Sequence, residues 1–141
     1  MSVEAYCQKP ARTIDAAETA QVAAERMDKD GVGCLVVVEK GRPVGILTDR
    51  ELVLEILCNK LDASAVGVTE IAARPVVTIA EDAPLAEAAQ RIRRHAVRRL
   101  AVVDNKGKLV GVIAADDLLQ LVVGELGGLA KAVRSQSPSG R

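Results

Sequence analysis

Along the chain, stretches with apolar residues at helical spacing alternate with short runs that are apolar almost throughout. Leu85, Ala88, Ala89, Ile92 and Ala96 recur at i, i+3, i+4, i+7 and i+11. That spacing predicts a helix with one buried face, entered through Asp82 and Pro84. Residues 100–103 and 109–113 are β-rich runs on either side of Asp104-Asn105-Lys106-Gly107-Lys108, and they predict a hairpin. Asp116 and Asp117 then open a further helical pattern through Leu118, Leu119, Leu121 and Val122, with acids at the positive end of the helix.

The same order occurs earlier in the chain: a helix over 16–27, strands at 34–38 and 44–47, and a helix from about 51 to 61. Shifting the sequence by 65 positions superposes Val3 on Val68, Pro10 on Pro75, Thr13 on Thr78, Ile14 on Ile79, Arg26 on Arg91 and Leu35 on Leu100. One extra residue in the following turn makes the shift 66, which superposes Val44 on Val110, Gly45 on Gly111 and Leu52 on Leu118. The chain is a tandem repeat.

Strands that are apolar on both sides are covered on both sides. The predicted class is therefore α/β in the α+β sense: two pseudo-symmetric repeats whose small sheets are flanked by helices and packed as one module. We divide the chain into repeats at 2–64 and 65–125 and a C-terminal extension at 126–141, whose last stretch, SQSPSGR over 135–141, has no apolar residue and is expected to be mobile. The connector over 62–73 carries a short predicted helix around 68–72, followed by the extended segment Arg74-Pro75-Val76-Val77-Thr78.

Composition narrows the function. The chain has 141 residues, a size at which folding buries roughly 68 to 70% of the unfolded surface, enough for a core without disulfide or metal support. Apolar residues make up 49% of it, yet Tyr6 is the only aromatic, so the core is built of Val, Leu, Ile and Ala. Lys and Arg total 19 against 19 Asp and Glu, a balance that argues against a dedicated nucleic-acid binder. Cys7, Cys34 and Cys58 lie far apart and are odd in number, and the N-terminus lacks the apolar run of a signal peptide. These features predict a reduced, cytoplasmic compartment with no membrane span. Metal-ligand spacing is absent, as are the P-loop, G-x-S-x-G, H-E-x-x-H and G-x-G-x-x-G motifs.

Each repeat carries a Thr-Ile leading strand, an alanine-bearing helix, a V-V-V or A-V-V strand, and V-G-I or V-G-V running into an acidic helix start. Together with HAVRRLAVVDNKGKLVGVIAADDL and GRPVGILTDREL, these features resemble a tandem cystathionine-β-synthase (CBS) domain pair of the Bateman-module type over about 2–125. The resemblance implies a regulatory module and not an enzyme. It also implies a homodimer that needs no cofactor and takes AMP, ADP, ATP or S-adenosylmethionine between its repeats, signalling to an effector protein.

In that family each cleft joins a hydroxyl and an acid from one repeat to the leading strand and the pre-hairpin segment of the other. Carried over, the first cleft takes Thr48 and Glu51, with Val76, Val77 and Thr78 lining the base and Val97, Arg98 and Arg99 facing phosphate. A carboxylate accepts from both hydroxyls of a ribose, and a guanidinium supplies a permanently charged fork for phosphate oxygens. Glu51 stands where Asp is usual, and its extra methylene moves the carboxylate by about an ångström. The second cleft takes Ala114 and Asp117 with Arg12 and Thr13. It lacks the hydroxyl, and its phosphate-facing segment, Val32-Gly33-Cys34, carries no charge. The first cleft is therefore expected to be preferred.

Other uses of the same residues stay open. Thr48-Asp49-Arg50-Glu51 is also a capping box that closes a helix start without any ligand, and Asp117 stabilises a helix start through the dipole. Arg91, Arg93, Arg94, His95, Arg98 and Arg99 form one basic cluster. Glu87 and Arg91 make an i,i+4 pair, and no aromatic platform accompanies the cluster for nucleic acid. The rival readings are a ligand-free dimerisation and assembly module and, more weakly, nucleic-acid binding through the cluster.

Overall fold

Two three-stranded sheets carry the fold, related by the offset that relates the halves of the sequence. In the computed structural model, which describes residues 1–136, β1 (Thr13–Asp15) runs parallel to β2 (Cys34–Glu39), and β2 pairs antiparallel with β3 (Arg42–Thr48). The second sheet repeats the order with β4 (Thr78–Ala80), β5 (Arg99–Val103) and β6 (Leu109–Ala114). Even the irregularities repeat: the register slips between Val37 and Val38 and again between Val102 and Val103.

Between the first and second strands of each sheet lies an 11-residue helix, α1 (Ala20–Asp30) or α4 (Leu85–His95). α1 begins where the Thr19 hydroxyl oxygen accepts from the Val22 N–H and ends at Gly31, whose φ of 64° only glycine adopts freely. The predicted helix over 16–27 thus starts four residues later. Asp15 explains the delay, since its carboxylate accepts from the Ala17 N–H and holds the chain in a turn. In each repeat an arginine ties helix to strand: Arg26 donates to the Thr13 carbonyl at 2.9 Å and Arg91 to the Thr78 carbonyl at 2.7 Å.

After β3 comes α2 (Asp49–Glu51), continuing as a π-helical stretch over Leu52–Leu57. Here the predicted helix stops short of 61, and Asn59 closes it by donating to the Leu54 and Glu55 carbonyls. α3 (Val68–Ile71) follows the connector. β6 leads into α5 (Ala115–Ser135), 21 residues long. It runs straight across the boundary expected at 125, so residues 126–135 continue the helix of the second repeat. Ser135, expected in a mobile tail, is its last residue, and residues 137–141 lie outside those described.

The cores are exchanged at one point. Val68 is buried with Ile14, Leu35, Val37 and Leu47 of the first repeat, whereas Val3 is buried with Ile79, Leu100, Val102 and Ile113 of the second. Matching backbone bonds hold these plugs, Val3 N–H to the Ala83 carbonyl at 2.9 Å and Val68 N–H to the Glu18 carbonyl at 3.0 Å. The hairpin tips also touch, with Leu109 N–H donating to the Gly41 carbonyl. No polar side chain is buried among the described residues. Apolar side chains remain exposed on the helices after each hairpin, among them Val53, Leu57, Leu119, Val123, Leu126 and Leu129. Among the described residues no helix is long and apolar enough to cross a membrane.

Candidate functional site

β3 ends in Gly45-Ile46-Leu47-Thr48, where alternation buries Leu47 and turns Thr48 toward the rim. The Glu51 carboxylate folds back on the helix start: its Oε2 accepts from the Thr48 N–H at 2.8 Å and from the Thr48 hydroxyl. The capping use of this pair is therefore realised. Next to it, Asp49 N–H donates to the Gly33 carbonyl at 3.0 Å, and its carboxylate lies so close over Gly33 that a Cβ there would sit 3.0 Å from Oδ2. A side chain at position 33 would therefore require the Asp49 carboxylate to give way.

The opposite wall comes from the second repeat. Ile46 and Ala73 exchange backbone hydrogen bonds at 3.2 and 2.9 Å, which lays Pro75, Val76 and Val77 alongside β3. Val97, Arg98 and Arg99 close the space where β5 begins. The result is a cleft of about 350 Å³ lined by Thr48, Glu51, Val76, Val77, Val97, Arg98 and Arg99, together with Ile46, Asp49, Arg50, Ala73 and Pro75. Thr78 does not line it. That residue lies within β4, paired with Ala101, and its carbonyl is taken by Arg91. Asp49 and Arg50, named from the sequence only as the middle of the capping box, also line the cleft, because the helix turn between Thr48 and Glu51 presents them there.

A second cleft of about 300 Å³ lies at the pseudo-symmetric position, where Gln8 and Val112 exchange the equivalent backbone bonds. Arg12, Ala114 and Asp117 line it, with Val32, Gly33, Cys34 and Asp116. Thr13 does not, for the reason that applies to Thr78: it is paired in β1 with Val36, and its carbonyl receives Arg26. Arg12 lies 3.9 Å from Asp30.

Three features join the clefts. Arg99 lines both. Arg98, of the first, forms an ion pair at 3.4 Å with Asp116, of the second. Cys34, of the second, has its thiol pushed up by burial; Arg99 opposes this, while Glu51 and Asp49 add to it. Elsewhere in the basic cluster, Arg91 is held by Glu87 at 2.9 Å, and Arg93, Arg94 and His95 are exposed on α4. Among the described residues no group of three or more His, Cys, Asp or Glu is placed to hold a metal ion.

Comparison with known proteins identifies the repeated unit and the fold. The CBS domain model matches residues 3–58 and again 68–124. The CBS domain-containing protein YhcV of Bacillus subtilis is 35% identical over 106 residues, 75% of this chain and 74% of its own. The protein MK0525 of Methanopyrus kandleri is 34% identical over 122 residues, and the match covers 86% of this chain but 62% of that longer relative. Among solved structures, the CBS domain pair of protein MJ0100 in complex with 5'-methylthioadenosine and S-adenosylmethionine superposes with a TM-score of 0.76 at 26% identity, covering 89% of this chain and 98% of that one. The CBS domain protein PAE2072 of Pyrobaculum aerophilum, complexed with AMP, gives 0.75 at 26% identity, covering 87% and 99%.

Proposed function

This chain belongs to the CBS domain family, with one copy of the domain in each repeat, and from that premise we propose that it is a regulatory module sensing an adenine nucleotide or related adenosine compound. The observation that carries the proposal is the first cleft, lined by Thr48 and Glu51 from one repeat, by Arg98 and Arg99 from the other, and by Val76 and Val77. Such a site offers a carboxylate for ribose hydroxyls, a flat apolar wall for a base, and guanidinium groups for phosphate. The ligand complexes of MJ0100 and PAE2072 place adenosine compounds on the same fold.

Because its walls come from different repeats, a ligand there favours one relative orientation of the two. The output is the affinity difference between orientations, delivered to another protein chain and not to a reaction. A thermal-shift and calorimetric panel of AMP, ADP, ATP and S-adenosylmethionine tests the reading. Ligand at 100 times its dissociation constant stabilises the fold by about 2.7 kcal/mol, and no shift with any of the four would overturn it.

An assembly role is favoured by a separate observation. Val53 and Leu57 of the first repeat and Leu119 and Val123 of the second, equivalent under the 66-residue shift, are all exposed. Paired apolar faces at both ends of a pseudo-twofold suit a homodimer.

A further inference from the structure

The first cleft does not own its cations. Arg99 begins β5 beside the pseudo-twofold axis, where its counterpart in the first repeat, Cys34, begins β2. From there its guanidinium lines both clefts, and among the described residues no carboxylate lies within ion-pair distance of it. Arg98 lies 3.4 Å from Asp116, an acid of the second cleft, in a solvent-exposed ion pair. The charges of the second cleft are thus Asp116 and Asp117 against Arg12 and Arg99, with Arg12 beside Asp30.

A phosphate in the first cleft would attract both Arg98 and Arg99. Their movement toward it would release Asp116 and take Arg99 from the second cleft, leaving two carboxylates there with less compensation. We propose that Arg98 and Arg99 couple the two clefts, so that a phosphate bound in the first raises the preference of the second for a cationic adenosyl compound. The proposal rests on the ligand-sensing reading above and adds a regulatory link within it. The coupling is reciprocal: a cationic ligand in the second cleft must favour phosphate in the first by the same factor.

Amide NMR separates the two sites, since Thr48 and Glu51 report on the first cleft and Ala114 and Asp117 on the second. The first cleft is loaded with AMP in one sample and with adenosine, which lacks only the phosphate, in the other. S-adenosylmethionine is then titrated and followed at Ala114 and Asp117. The expected result is affinity at least about fivefold tighter with AMP than with adenosine, the lower end of ordinary coupling between sites, and Asp116→Asn should narrow the difference. Equal affinity under the two loadings, with Thr48 and Glu51 shifted in both, would overturn the coupling and leave the sensing site standing. No shift at Thr48 and Glu51 with either compound would overturn both.

Discussion

Val3 and Val68 stand 65 positions apart in the chain and occupy each other's repeats, Val3 filling the core around Leu100 and Val68 the core around Leu35. The exchange makes the two sheets one folding unit. Val68→Ala removes two methyl groups from a fully buried position in the first repeat, and the transfer and cavity costs together come to about 2 to 3 kcal/mol. Urea denaturation is expected to show the loss as a lower midpoint in a single transition. Two separate transitions would mean that the repeats unfold independently.

Substituting the phosphate-facing pair, Arg98→Ala with Arg99→Ala, is expected to weaken AMP and ATP at least tenfold while changing adenosine by much less, because only the phosphorylated compounds use the guanidinium groups. Calorimetry with the three compounds checks this. Equal losses would contradict the phosphate assignment.

Glu51 has two uses that one substitution separates. Glu51→Ala removes the carboxylate that holds the Thr48 N–H and hydroxyl, which should lower stability by about 0.5 to 2 kcal/mol, the range of a lost helix cap. If the group also holds ribose, nucleotide affinity measured well below the melting temperature falls as well. A stability loss with unchanged affinity would make Glu51 a cap only.

Asp104 sets a pH dependence. Its carboxylate accepts from the backbone N–H groups of Lys108 at 3.0 Å and Lys106 at 2.8 Å, which holds it below the usual carboxylate range, with the Lys108 bond the larger cause. A group depressed on folding stabilises the fold above its unfolded pKa, near 3.9 for Asp, and loses that contribution as pH falls through the folded value. Asp104→Asn should therefore be less stable than the parent at pH 7, with the gap closing below about pH 4. Denaturation midpoints across that range provide the check; a gap independent of pH would remove the carboxylate's charge from the explanation.

Leu57→Glu with Leu119→Glu places charge on both exposed apolar faces. If these faces pair two copies as proposed, light scattering is expected to show the parent chain as a dimer and the double variant as a monomer, with far-UV circular dichroism unchanged because both side chains are exposed.

How far the sequence could be read depends on which signals are periodic. The 65-residue offset carries α1 onto α4 and β1 onto β4 residue for residue, because helices and strands advertise their buried faces at fixed spacing. Seven of the eight residues named for the first cleft line it. Thr78 is the one that does not line it; its backbone is engaged by β5 and by Arg91, contacts that spacing does not display. The exchange of Val3 and Val68 was invisible for a similar reason, since a plug of three or four residues is too short to show a period. α5 continues past the boundary expected at 125 to Ser135 although Gly124, Gly127 and Gly128 each cost about 1 kcal/mol relative to alanine within a helix. That Arg99 lines two clefts depends on how the two repeats pack, which no linear pattern records.

The swapped valines also bear on how the protein can be taken apart. A protease cutting at the exposed Lys60, just before the connector, would leave two fragments, each holding the stopper for the other's cavity. Such fragments should remain associated after the cut and reassemble when mixed, whereas either alone would be left with an open hole in its interior.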